Sequence, residues 1–120
     1  MTPGPTTPGI EHELLRIAGE ALANSSRHSR GHGVVVTLDF GDEAVVLTVE
    51  DDGVGRPEDL RAMLEGERTG SPAERQGLVN MRGRAELVGG ELGIVESDLG
   101  GVAITVVAPR VDGLDRRPAR

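Results

Sequence analysis

Phe40 is the single aromatic side chain in a chain of 120 residues, which contains no Trp and no Tyr. Aromatic residues ordinarily bury more area apiece than other types. A core in this chain therefore has to be assembled from Val, Leu, Ile and Ala. The length suits one domain, since domains usually hold about 100–150 residues.

The charged residues narrow the chemistry. Thirteen basic side chains stand against 20 acidic ones, a formal charge of −7, and every basic one is arginine. Without lysine there is no Walker-type phosphate loop, no strand lysine of the eukaryotic protein-kinase kind, and no Schiff-base catalysis. Without cysteine there are no disulfides, thiolate nucleophiles or Cys-ligated zinc, which suits a reducing compartment. The acidic balance argues against nucleic acid as a partner. No apolar run approaches the ~18 residues of a membrane span, and no signal pattern opens the chain.

Periodicity divides the chain simply. Residues 1–9, MTPGPTTPG, read as a disordered lead, and 112–120 as a fraying, arginine-rich tail. The folded part is expected over 10–111. A first helix is expected over 11–28, with Leu14, Ala18, Ala21 and Ser25 on one stripe and Leu15 and Leu22 beside it. Two alternating strands follow, 34–40 and 45–50, joined by Gly41-Asp42-Glu43. A glycine-punctuated loop, DDGVGRP, leads to a short helix over 58–67, a polar and mobile stretch over 69–76, and a helix over 78–88. A second hairpin, 91–96 and 102–108, closes the fold. This order predicts an α+β fold, a mixed and mostly antiparallel sheet covered by helices on one face.

Three short matches lead nowhere. Asp39-Phe40-Gly41 spells the kinase magnesium motif, but the lysine and catalytic-loop Asp are missing. His12-Glu13 begins a zincin motif, with Arg16 where the second His belongs. His28 and His32 have no third ligand to complete a zinc set.

Four other pieces carry chemistry. Glu20, Asn24, Arg27 and His28 share one helical stripe at offsets of 0, 4, 7 and 8. Their oxygens suit Mg²⁺ and their cations suit phosphates. Asp51-Asp52-Gly53-Val54-Gly55 follows directly on a strand; its carboxylate can accept from an exocyclic amine, and its glycines let the backbone approach a flat ring. Gly77-Leu78-Val79-Asn80-Met81 places a glycine at a helix start, where free N–H groups and the macrodipole favour anions. Gly100-Gly101 sits in the last turn. Taken singly, these read more simply as a solvated helix face, an Asp-Gly turn, a glycine turn and a hairpin.

Together, in this order, they resemble a known family. HELLRIAGEALANSSRH resembles the N-box of sensor histidine kinases, DDGVG the first glycine box, GLVNMRGRAELVGGELGI the second, and GGVAITVVAP the closing strand. The resemblance covers residues 11–109 and is to the Bergerat-type ATP-binding (HATPase_c) domain of NarL/DesK-like sensor histidine kinases. It implies a two-layer α/β sandwich that holds ATP and Mg²⁺ beneath a lid, here residues 57–76. By the same resemblance, Asn24 ligates Mg²⁺, and Glu20 sits at the metal or polarises a nucleophile. Arg27 contacts phosphate with His28 beside it. Asp51 takes the adenine amine, and Gly53 and Gly55 shape its pocket. Gly77, Leu78, Asn80 and Met81 belong to the helix start that faces the phosphates.

The sequence departs from the family pattern at Val102, where a Thr is usual, and in a lid longer than the branch commonly has. Only ten residues precede Glu11, too few for a phosphoacceptor helix. The implied activity is therefore γ-phosphate transfer to a histidine on a separate domain or chain, and through it to a response regulator. The implied setting is the cytoplasm, beneath a parent kinase that can be membrane-attached, with a monomeric isolated domain. The alternatives are a non-catalytic module of the same fold and an anti-sigma-type serine kinase.

Overall fold

The computed structural model describes residues 8–28, 33–66 and 71–110, with the side chains of residues 8 and 25–28 outside the description. Seven elements follow one another: α1 (Pro8–His28), β1 (Val34–Phe40), β2 (Ala44–Asp51), α2 (Pro57–Leu64), α3 (Pro72–Leu87), β3 (Glu91–Glu96) and β4 (Val102–Pro109). The strands form one sheet in the order β1-β2-β4-β3. The expected α+β class holds, but every described pairing is antiparallel, so the sheet is not mixed. Two hairpins account for this. Each reverses direction by construction, and the α2–α3 excursion returns the chain so that β4 runs beside β2.

One face of the sheet meets the helices. Its rows are Leu38–Leu47–Val106–Leu92 and Val49–Ile104–Ile94, with Val45 opposite Ala108. Against them lie Ile10, Leu14, Ile17, Ala18 and Ala21 of α1, Met63 and Leu64 of α2, and Leu78, Met81 and Ala85 of α3. Burying each larger aliphatic side chain contributes about 1.5–3 kcal/mol. Leu15 and Leu22, expected beside the buried stripe of α1, remain 64% and 40% exposed. Phe40 is 42% exposed at the end of edge strand β1. The core thus holds no aromatic side chain and is aliphatic but for Met63 and Met81, and the one aromatic residue lies outside it.

Two features lay beyond the sequence reading. Arg110 is only 2% exposed. Its guanidinium donates to the Gly41 carbonyl at 2.6 Å and its backbone N–H to the Glu43 carbonyl at 3.0 Å. It thereby ties the end of β4 to the β1–β2 turn. The second feature is the start of α3, at Pro72 rather than residue 78. The Ser71 hydroxyl accepts from the Glu74 N–H at 3.1 Å, and the Glu74 carboxylate accepts from the Ser71 N–H at 2.8 Å. This capping box, with Pro72 at the first helical position, makes helix of residues 72–76, which were expected to be mobile; residues 69 and 70 lie outside the described residues. Arg75 then donates to the Met63 carbonyl at 3.1 Å and fastens α3 to the end of α2.

Of the expected terminal segments, residues 8 and 9 belong to α1, while 1–7 and 112–120 lie outside the described residues. No helix among the described residues is long and apolar enough to cross a membrane.

Candidate functional site

Asp51 ends β2 and is buried. Its carboxylate Oδ1 accepts from the Gly53 N–H at 3.0 Å and from the Val102 N–H at 3.1 Å. Its carbonyl accepts from the Gly101 N–H at 3.1 Å. Bonding to an amide two residues on is the usual habit of an Asp in a turn. Here a second amide, from β4, fixes the side chain across the sheet as well. The departure at Val102 therefore leaves its main-chain contact intact, because that contact needs only the backbone N–H.

Gly53 and Gly55 continue the loop, and a Cβ at Gly55 would stand 3.4 Å from Val102 Cγ2. An open cleft of about 260 Å³ lies between this loop and the Gly100–Gly101 turn, with Glu96 and Glu58 on its walls. Asp51 stands behind Gly53 and Gly101 rather than on the cleft surface. At the rim, Arg56 donates to Glu58 through two nitrogens, at 2.6 and 3.1 Å. Those hydrogen bonds hold the Glu58 carboxyl below the usual carboxylate range and raise the Arg56 guanidinium. Both groups are exposed, so the pair adds little to stability.

The second part of the site lies between α1 and α3. Arg84 donates to Glu13 at 2.9 Å and registers the two helices. Glu20 and Asn24, one turn apart, flank the apolar stripe on its α3 side. Gly77 packs against them: a Cβ there would overlap Glu20 Oε2, with Glu20 Cδ at 3.3 Å and Asn24 Nδ2 at 3.7 Å. A carboxylate and an amide oxygen are hard donors of the kind Mg²⁺ takes, and Mg²⁺ usually completes its shell with waters and substrate phosphates. Among the described residues no group of three or more His, Cys, Asp or Glu is placed to hold a metal. Any ion here would depend on ligand oxygens. The Arg27 and His28 side chains lie outside the described residues.

The expected phosphate-facing helix start needs correction. Gly77 is the sixth residue of α3. The N–H groups of Gly77, Leu78, Asn80 and Met81 are therefore inside a helix, where each bonds to the carbonyl four residues back. Leu78 and Met81 are core residues, 1% and 0% exposed. Asn80 is exposed and accepts from Gln76 Nε2 at 2.9 Å. The signal for the true start, Ser-Pro-Ala-Glu at 71–74, was readable as a capping box. Nothing in the sequence alone marked Gly101 as a neighbour of Asp51.

Comparisons with known proteins agree with this architecture. The family model described as histidine kinase-, DNA gyrase B-, and HSP90-like ATPase matches residues 9–112. The nitrate/nitrite sensor protein NarX of Escherichia coli is 36% identical over 93 residues, 78% of this chain and 14% of its own length. The sensor protein VraS of Staphylococcus aureus is 39% identical over 101 residues, 84% of this chain and 26% of its own length. The chain thus spans about a quarter or less of these curated relatives. Among solved structures, the ATP-binding domain of PrrB from Mycobacterium tuberculosis superposes with a TM-score of 0.67 at 25% identity, covering 82% of this chain and 68% of that one. The histidine kinase domain of a blue-light activated kinase from Erythrobacter litoralis gives 0.58 at 25% identity, covering 84% of this chain and 45% of that one. From a model match across nearly the whole chain, and from sensor-protein relatives above 30% identity, the chain belongs to the histidine kinase-, DNA gyrase B- and HSP90-like ATPase family.

Proposed function

We propose that this chain binds Mg-ATP and donates the γ-phosphate to a histidine on a separate domain or chain, which in turn serves a response regulator. The observation that carries the proposal is the seating of Asp51. Two main-chain amides hold its carboxylate at the end of β2, next to the glycine loop of Gly53 and Gly55 that lines the cleft. Such a fixed acceptor suits the exocyclic amine of adenine. Guanine offers a carbonyl oxygen at that position, which a carboxylate repels.

Asn24 and Glu20 would hold Mg²⁺, which when bound neutralises phosphate charge. Arg27 and His28, on the next turn of α1, would face the phosphates. Gly53 and Gly55 line the base side. Gly77 brings α3 against the metal-side pair; with the first turns of α3 unwound, its amide and those of Leu78 and Asn80 would be released toward phosphate, while the Met81 N–H would stay bonded within the helix. In the transfer the bond between the γ-phosphorus and the β–γ bridging oxygen breaks. A bond from phosphorus to an imidazole nitrogen of the acceptor forms, ADP leaves, and the acceptor releases its proton. Positioning and charge neutralisation supply most of the catalysis in such a step.

Titration calorimetry with a non-hydrolysable ATP analogue, with and without Mg²⁺, tests the first half. Millimolar analogue without heat overturns it. Mixing the chain with an isolated phosphoacceptor domain and labelled ATP tests the second half. Binding without transfer to any acceptor would instead favour the module that holds ATP without chemistry, the reading that Val102 supports. The missing Thr hydroxyl is one hydrogen bond, about 0.5–1.5 kcal/mol.

A further inference from the structure

The two glycines of the β3–β4 turn do different work. Gly100 has φ +109 and nothing within 4 Å of the position a Cβ would take. It is there for its backbone conformation. Gly101 is not in that left-handed region, and it is buried. A Cβ on it would overlap Asp51 Oδ1 and stand 2.7 Å from both the Asp51 carbonyl oxygen and the Gly53 nitrogen. Its own N–H donates to the Asp51 carbonyl at 3.1 Å, and its carbonyl accepts from the Ser97 N–H at 2.9 Å. The bare α-carbon of Gly101 is therefore one wall of the seat in which the carboxylate rests. The Gly53 and Val102 amides line it as well.

From this we infer that Gly101 is a positioning residue for base recognition, keeping the Asp51 carboxylate at the angle that distinguishes adenine from guanine. The inference rests on the ATP-binding reading above. A methyl group at position 101 leaves no room for Oδ1 between the two amides. The carboxylate must rotate away, both amides lose their acceptor, and the turn backbone at Asp51 and Gly53 must give as well.

The test is a double-mutant cycle on the whole chain: wild type, Asp51→Ala, Gly101→Ala and the double variant. Each is titrated with Mg-ATP and Mg-GTP, and the amide NMR signals of Gly53 and Val102 are followed without nucleotide. Wild type is expected to prefer ATP on the order of tenfold or more, the worth of one charge-assisted hydrogen bond. Asp51→Ala loses that preference, Gly101→Ala loses it equally, and the double variant is no worse than either. The two amide signals shift in the same direction in both single variants.

Retained ATP preference in Gly101→Ala, or a loss that adds to that of Asp51→Ala, overturns the assignment. If Gly101→Ala does not fold, the double variant decides. Folding restored by removing the carboxylate supports the seat, and continued unfolding shows that the constraint is on the backbone and overturns it. A wild type that binds neither nucleotide sinks the ATP reading, and the ligand-free amide signals then judge the seat by themselves.

Discussion

Substituting Gly77 by alanine separates stability from function in this fold. Glycine inside a helix costs roughly 1 kcal/mol relative to alanine, and Gly77 lies well inside the 16 residues of α3. Alanine would therefore stabilise the helix by that amount. Against it stands the overlap of the new methyl group with Glu20 Oε2. That atom is the far end of a flexible, half-buried side chain, so a rotamer change relieves the overlap for about 0.5–1.5 kcal/mol. Asn24 Nδ2, at 3.7 Å, is an ordinary contact and need not move. The two effects nearly cancel, and unfolding in urea should change by less than about 1 kcal/mol, or about 4 °C in Tm. Function should not be spared. A metal ligand displaced from its place loses on the order of ten- to a hundredfold in affinity, so Mg²⁺-dependent binding of the ATP analogue should fall by that factor. Binding without Mg²⁺ should hold. Destabilisation above about 2 kcal/mol would refute the idea that Glu20 can yield, and unchanged Mg²⁺-dependent binding would refute its place at the metal.

Three further outcomes are expected. Met81→Ala, at a fully buried site, should destabilise the domain by about 2–5 kcal/mol in urea unfolding through the cavity it leaves. Gln76→Pro should forbid helix through the residue before it and restart α3 at Gln76. Circular dichroism should then show lost helix while ATP-analogue affinity rises, and lower affinity would count against the amides of residues 77–80 as phosphate donors. The Arg56–Glu58 pair stabilises the fold above the usual carboxylate range and is lost as pH falls through the depressed pKa of Glu58. Arg56→Ala should move the Glu58 titration upward by NMR, with little change in Tm because both groups are exposed.

The strands were legible because β-branched residues are dense in residues 34–50 and 102–108, and short turns leave the hairpins one register. Helix α1 was legible for its stripe, although Ile10 and Ile17 carry as much of the burial as the residues singled out. The start of α3 was misread because polarity was taken for mobility. Pro72 to Gln76 is polar on the surface of a helix, and the Ser71–Glu74 pair decides its conformation locally. The Asp51 loop was legible as a motif but not as a structure. Its second amide comes from residue 102, and pairing at a separation of 51 residues is set by the β2–β4 register. Periodicity within each strand does not specify which strands become neighbours.

The position of α3 also bears on how a nucleotide would enter. Its capping box contributes about 0.5–2 kcal/mol, and the residues between Ser71 and Gly77 add little packing, since Pro72, Ala73, Arg75 and Gln76 are exposed. Unwinding them would cost the cap, the Arg75 bond to the Met63 carbonyl, and the intrahelical hydrogen bonds of the N–H groups from Gly77 to Asn80. It would release consecutive N–H groups from Gly77 onward, directly opposite Asn24. Each hydrogen bond from such a group to a charged phosphate contributes about 1.5–3 kcal/mol, against about 0.5–1.5 kcal/mol for the intrahelical bond it replaces. The same residues would then form a closed helix without nucleotide and an anion-binding helix start with it. Gly77 suits both states: inside the helix it lets α3 approach Glu20, and at a helix start it lets the backbone approach a phosphate.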